Sequence, residues 1–261
     1  MTPVARHRTA RVQSLERGIA ILDAVTASGP RRMSVQELAR ALSLSASTVS
    51  RLAATLRDHG LLSQQGNAGG YGLGLELLRY ARSASLDHPL PNVAGAVVER
   101  LMTTLDETVS FSVPTDDGML YVRSETPQGH MVTIRISVGN TLPYTTTASG
   151  KAVLAAQSPA AADEAVRRGL PLRTDASIAT ARQLHEQIAE VRARGYAIEV
   201  GESNAEVACV AVAVIGKKGE PLGALSCNIP AMTVTPERFD YIARRLAEGA
   251  REVEAALRKL G

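Results

Sequence analysis

Hydrophobic and polar positions alternate between two periods along this chain. In the N-terminal part apolar residues recur three or four apart, the spacing of one helix face. Ser14 precedes a run in which Leu15, Ile19, Leu22 and Val25 share a face, and Gly29-Pro30 ends it. A second helix opens at Ser34, whose hydroxyl can accept from the Glu37 N–H while the Glu37 side chain reaches back to the Ser34 N–H, a capping box. Leu38, Ala39 and Leu42 form its apolar face. Ser43-Leu44-Ser45 then breaks the run and offers Ser45 as the N-cap of a third helix, closed by His59-Gly60. There Val49, Leu52, Ala53 and Leu56 face inward, and Ser47, Thr48, Ser50, Arg51 and Thr55 face outward.

Leu61–Gln65 and Tyr71–Leu73, joined by Gly66-Asn67-Ala68-Gly69-Gly70, read as a β-hairpin with a glycine-rich tip. A helix carrying Leu75, Leu78, Ala81 and Arg82 follows and stops at Asp87-His88-Pro89-Leu90-Pro91. The next contains Val93, Val97, Val98, Leu101 and Leu105. Period-two patterning then predicts strands at Thr108–Val113, Met119–Arg123 and Met131–Ser137. Helices are predicted at roughly 149–157, 160–168 and 180–194. A strand pair, Cys209–Ile215 and Leu222–Asn228, is joined by Gly216-Lys217-Lys218-Gly219, and a long amphipathic helix runs from Thr235 to about Leu260. The expected class is α+β, organised as an arm (1–11), a winged helix-turn-helix domain (12–74), a linker helix and hinge (75–91) and a C-terminal domain of antiparallel sheet with flanking helices (92–261).

The second and third helices fit an ordinary amphipathic pair as well as a DNA-reading element when taken alone. The small hydroxyl face at the start of the third helix would sit deep in a major groove, with Arg51 reaching guanine or phosphate. Charge favours that reading: residues 1–88 carry 11 Lys+Arg against 6 Asp+Glu, and the remainder 18 against 20, for a total of +3. Arg6, Arg8 and Arg11 form an arm that suits phosphate or minor groove, or a solubilising tail. Candidate DNA contacts are Arg11, Ser34, Ser45, Ser47, Thr48, Ser50, Arg51, Gln65, Asn67 and Tyr71.

Composition narrows the remainder. Hydrophobic content of 45% and charged content of 21% suit a folded soluble protein, and no apolar run reaches the ~18 residues of a membrane span. The arginine-rich N-terminus lacks the apolar core of a signal peptide, so a cytoplasmic location is expected. Cys209 and Cys227 lack zinc-type spacing and read as small buried hydrophobes, and the five histidines are scattered, so neither metal nor cofactor is expected. A phosphate loop at Ala148-Ser149-Gly150-Lys151 is excluded because Thr145 stands where its first glycine would fall and Ala152 where its hydroxyl would. Gly70-x-Gly72-x-Gly74 lacks dinucleotide spacing. A Ser149–Lys151 nucleophile pair fails because residues two apart on a helix point in different directions, so no enzymatic activity is expected. The start of the Ala148 helix, with unpaired N–H groups and Gly150 for close approach, invites a carboxylate; the alternative is that Ser149 only caps and Lys151 is a surface charge.

Several segments together carry a resemblance. Ser14-Leu15-Glu16-Arg17-Gly18-Ile19-Ala20-Ile21-Leu22, Leu38-Ala39-Arg40-Ala41-Leu42, the start of the third helix and Gly70-Tyr71-Gly72-Leu73-Gly74 are similar to the IclR family of bacterial transcription regulators. So are Thr147-Ala148-Ser149-Gly150-Lys151-Ala152, Arg194-Gly195-Tyr196-Ala197, Val207-Ala208-Cys209-Val210-Ala211 and Gly223-Ala224-Leu225-Ser226, in order, so that the likeness runs from about Val12 onward. It implies a winged helix-turn-helix joined to a GAF-like effector-binding domain, and homodimers or tetramers on a palindromic operator in double-stranded DNA. It also implies a small-molecule effector bound by Met131, Ile134, Leu142, Ala148, Ser149, Gly150, Val207, Cys209, Ser226 and Asn228. Where many relatives carry Ser-x-Ser-Gly-Pro, this chain has Ser226-Cys227-Asn228-Ile229-Pro230, so Asn228 offers both donor and acceptor where a hydroxyl is usual. The helix N-terminus and the 3% aromatic content suggest a small organic acid. A metabolite sensor acting through protein contacts without specific DNA binding is the alternative.

Overall fold

The computed structural model describes residues 12–66, 69–130 and 133–260. The chain divides into two compact units between Asp87 and His88. The arm residues Arg6, Arg8 and Arg11, together with Asn67 and Met131, lie outside the described residues.

The first unit contains α1 (Gln13–Ala27), α2 (Val35–Leu42), α3 (Ala46–Asp58), β1 (Leu62–Gln64), β2 (Tyr71–Leu73) and α4 (Glu76–Asp87). The capping box forms as expected: the Glu37 N–H donates to the Ser34 hydroxyl at 3.3 Å and the Ser34 N–H to the Glu37 carboxylate at 2.8 Å. The start of α1 differs from the expectation. It begins at Gln13 after Val12, so Ser14 lies inside the first turn. Its buried face is Gly18, Ile21 and Val25, while Leu15 and Ile19 are 63% and 49% exposed. Two apolar stripes coexist on this helix, and spacing alone does not say which one the core takes. Ile21 and Val25 pack with Leu38, Val49, Ala53, Leu62 and Tyr71.

The hairpin is held from outside its own sequence. Met33 exchanges both backbone hydrogen bonds with Tyr71, at 2.9 and 2.7 Å, and the Arg32 guanidinium donates to the carbonyls of Ser63 and Gly70. A Cβ on Gly74 would fall 1.9 Å from the Gly60 carbonyl oxygen, so only glycine lets the wing exit cross the end of α3.

The second unit contains α5 (Pro89–Leu105), β3 (Thr108–Pro114), β4 (Met119–Glu125), β5 (Thr141–Leu142), α6 (Ala148–Ala156), α7 (Pro159–Arg168), α8 (Ala181–Arg194), β6 (Ala197–Val200), β7 (Val207–Ile215), β8 (Pro221–Pro230) and α9 (Pro236–Leu260). The strands form one six-stranded sheet, ordered β5-β4-β3-β8-β7-β6, antiparallel throughout. Two expectations are corrected here. Residues 133–137 form no strand; the outer edge of β4 pairs with β5 instead. The two prolines expected in a hinge sit in the first turn of α5, where a missing N–H costs nothing, so only His88 separates α4 from α5. The short β6 escaped the periodicity because its inward positions are Ala197 and Glu199, which show no apolar alternation.

Alternation along the central strands sorts two chemistries onto opposite faces. Val109, Phe111, Val210, Val214, Leu225, Cys227 and Ile229 pack with α5 and α9 into the main core. The other face carries Ser110, Ser112, Cys209, Ala211, Ala224, Ser226 and Asn228, small or polar side chains beneath α6 and α8. On that face the Lys151 side chain of α6 is fully buried, and its ammonium donates to Glu202 at 2.5 Å and to Gln187 of α8 at 2.6 Å. Burial pushes the lysine pKa down and the Glu202 pKa up, and their mutual attraction offsets both. The alternative of a surface lysine is therefore ruled out: Lys151 pins α6, α8 and the turn after β6 to one another. Lys151→Met leaves Glu202 buried without its cation, and we predict a loss of about 3–5 kcal/mol in urea unfolding. The double variant Lys151→Met/Glu202→Gln should recover most of that loss.

Candidate nucleic-acid interface and ligand cavity

At the N-terminus of α3 the Ser45 hydroxyl accepts from the Thr48 N–H at 3.2 Å and meets the hydroxyls of Ser47 and Thr48 at 3.0 and 2.8 Å. Ser43 turns the chain in the left-handed region, with φ 52°, and so aims this cluster away from α2. Ser47, Ser50 and Arg51 are exposed and Thr48 half-buried, which leaves a hydroxyl-rich surface with one guanidinium. Gln65 is exposed beside the wing tip. Ser34 caps α2 and spends both its polar groups on Glu37. Tyr71 does not belong with these residues: it is 4% exposed and lies in the core of the unit, because the hairpin must bury one residue of β2 against Ile21 and Leu38.

In the second unit a cavity of ≈ 170 Å³ opens on the small-residue face of the sheet. Cross-strand register explains its floor, since Glu199 pairs with Cys209 and Cys209 with Asn228, placing the three side chains in one row. Of the residues expected at the effector, Ile134, Leu142, Ala148, Val207, Cys209 and Asn228 line the cavity. Ser149, Gly150 and Ser226 are buried but do not line it. Gly150 serves another contact, because a Cβ there would fall 2.2 Å from the Tyr144 carbonyl oxygen; its smallness admits the preceding 3-10 turn, Tyr144–Thr146, and not a ligand. Thr147, not Ser149, caps α6, accepting from the Gly150 N–H at 3.1 Å.

Sequence reading missed Tyr121, Arg135, Arg173 and Glu199, all of which line the cavity. Arg135 comes from the unpaired segment whose Ile134 and Ile136 turn into the cavity wall instead of pairing in the sheet. Arg173 is set by its own N–H, which donates to Ser177 at 2.9 Å, while the Ser177 hydroxyl donates to the Glu202 carbonyl at 2.7 Å. Neither arginine forms an ion pair among the described residues. The Asn228 amide nitrogen is buried with no hydrogen-bond partner, an uncommon and costly state for a donor.

Glu199 is 2% exposed, and one carboxylate oxygen accepts the N–H groups of Glu202 and Ser203 at 2.6 and 2.9 Å. Burial dominates these bonds and lifts its pKa from 4.5 to about 7, with Glu202 raising it further and Lys151 opposing. Cys209 is likewise driven up by burial, so its thiol stays protonated. Among the described residues no group of three or more side chains could hold a metal ion, and no helix is long and apolar enough to cross a membrane.

A folded-state value above the unfolded one means that the folded protein binds the extra proton. The Glu199 contribution is therefore fully present below about 4.5 and is lost as pH rises through about 7. That displacement corresponds to about 3 kcal/mol. Unfolding of the C-terminal unit followed between these pH values should show stability falling as pH rises, and Glu199→Gln should flatten the slope; an unchanged slope in the variant would place the proton elsewhere.

Known proteins share this arrangement over both units. The family models described as the IclR helix-turn-helix domain and as the bacterial transcriptional regulator IclR C-terminal match residues 14–66 and 84–255. The chain is 27% identical over 250 residues to the transcriptional repressor IclR of Escherichia coli strain K12, covering 95% of this chain and 91% of that one. It is 30% identical over 249 residues to the HTH-type transcriptional repressor AllR of Klebsiella pneumoniae, covering 94% and 90%. A crystal structure of an IclR transcriptional regulator from Alicyclobacillus acidocaldarius superposes with a TM-score of 0.85 at 26% identity, covering 94% of this chain and 98% of that one. With a DNA-binding helix-turn-helix ahead of an effector-binding domain, and in a family of regulators and not of enzymes, the chain belongs to the IclR family of bacterial transcription regulators.

Proposed function

We propose that this regulator binds a palindromic operator as a homodimer or tetramer, in the cytoplasm, and that a small organic acid in the C-terminal cavity changes its hold on DNA. The DNA-reading surface is Ser45, Ser47, Thr48, Ser50 and Arg51 of the α3 N-terminus, with Ser34 behind it and the wing, including Gln65 and Asn67, and Arg11 of the arm on the flanking backbone. Two-fold symmetry of the protein makes the operator palindromic.

The observation that carries the effector class is the Asn228 amide nitrogen, a buried unpartnered donor in a cavity that also presents Arg135 and Arg173. One buried amide donor and two exposed guanidinium groups along the same cavity suit a carboxylate. A cavity near 170 Å³ limits the ligand to a small molecule, since about 150 Å³ suffices for benzene. The ligand controls DNA only through a difference in its affinity for two arrangements of the protein.

A thermal-shift panel of short mono- and dicarboxylates, benzoate, and neutral sugars tests this reading. An acid present at about a hundred times its Kd contributes about 2.7 kcal/mol, which raises Tm by about 5–10 °C. Asn228→Ala and Arg173→Ala should each abolish most of the shift. Stabilisation by neutral sugars with none from any acid would refute the proposed ligand class.

A further inference from the structure

A second cleft, of ≈ 290 Å³, lies in the first unit between α1 and α3. Ser14 and Arg17, three apart on α1, face Thr48, Arg51, Leu52 and Thr55 of α3 across it. Its lining holds two guanidinium groups, three hydroxyls and one apolar side chain, with no carboxylate among the described residues. Neither Arg17 nor Arg51 forms an ion pair among the described residues, although the same unit pairs Arg31 with Glu37, Arg57 with Asp58 and Arg79 with Glu76. Two like charges facing one cleft without a counter-ion repel each other, and an anion between them removes that cost. The Thr48 hydroxyl also belongs to the Ser45–Ser47–Thr48 cluster, so the cleft adjoins the surface assigned to DNA.

We propose that this cleft seats one backbone phosphate of the bound duplex, gripped by Arg17 from α1 and Arg51 from α3, with Ser14 and Thr48 as hydroxyl donors. The inference rests on the DNA-reading function and adds to it a part for α1, which otherwise only supports the other two helices. Guanidinium groups match phosphate oxygens in a two-pronged geometry. A phosphate held from two helices would fix how deep the N-terminus of α3 enters the groove, while carrying no sequence information itself. Arg51 on this account is a positioning contact more than a reader of guanine.

Fluorescence anisotropy of the full-length protein and its Arg17→Ala and Arg17→Lys variants tests the seat, on DNA from upstream of its own gene and on a scrambled duplex, over a salt series. Arg17→Ala should weaken binding to both duplexes by the same factor, about five- to tenfold, and lower the slope of log affinity against log salt by about 0.9. Arg17→Lys keeps the charge and should restore the slope. The thermal melt of each variant should not fall below the parent's, which a merely structural arginine would not allow. An Arg17→Ala variant with the parent's affinity and slope overturns the phosphate seat while leaving DNA binding intact, as does a loss of affinity with an unchanged slope. A parent protein that binds neither duplex overturns the seat together with the reading beneath it.

Discussion

The C-terminal unit depends on a sheet whose two faces carry different chemistry. Large branched and aromatic side chains on one face meet α5 and α9 and supply the hydrophobic driving force. That anchoring frees the opposite face to be small and polar, with serines, alanines, Cys209 and Asn228 where a second hydrophobic layer would otherwise stand. Small side chains leave volume, and volume beneath α6 is what becomes the cavity. The Lys151–Glu202 pair then does on this face what apolar packing does on the other, tying α6 and α8 to the edge of the sheet through charge. Placing a carboxyl as buried as Glu199 in the wall is tolerable because two backbone N–H groups meet it, while burial lifts its pKa to about 7 and so lowers the cost of its charge.

In the N-terminal unit the constraint is one of backbone approach. Gly74 against the Gly60 carbonyl sets the hairpin exit on the end of α3, and the Met33–Tyr71 bridge ties β2 to the segment that leads into α2. His88 alone separates two helices, and Pro89 fixes the φ angle at which the second begins.

Legibility in the sequence followed the strength of local signals. The capping box at Ser34 and Glu37, the Ser45 cap and the long strands β7 and β8 were readable because each is written in neighbouring residues. The inward stripe of α1 was not, since Leu15-Ile19 and Ile21-Val25 are equally apolar and only the tertiary core chooses. The Ile134–Ile136 alternation read as a strand because alternation records which side is buried, not what the backbone bonds to. Six expected effector residues reached the cavity wall, whereas Tyr121, Arg135, Arg173 and Glu199 were invisible: an arginine in an irregular segment and a glutamate in a four-residue strand carry no signature until register brings them together. Gly150 was assigned to the ligand yet makes room for the Tyr144 backbone, and the buried role of Lys151 is set by Gln187 and Glu202, partners far away in sequence.

In the proposed function one chain couples a DNA-reading surface to a carboxylate-binding cavity. The most direct test measures the affinity of the purified protein for DNA upstream of its own gene with and without a carboxylate that stabilises it, against a scrambled duplex at fixed salt. The expected result is a preference for the upstream DNA and a change in that affinity, in either direction, that saturates with the acid and disappears in Asn228→Ala. Equal weak binding to both duplexes that the acid leaves untouched would contradict it, and would favour a sensor that acts through protein contacts alone.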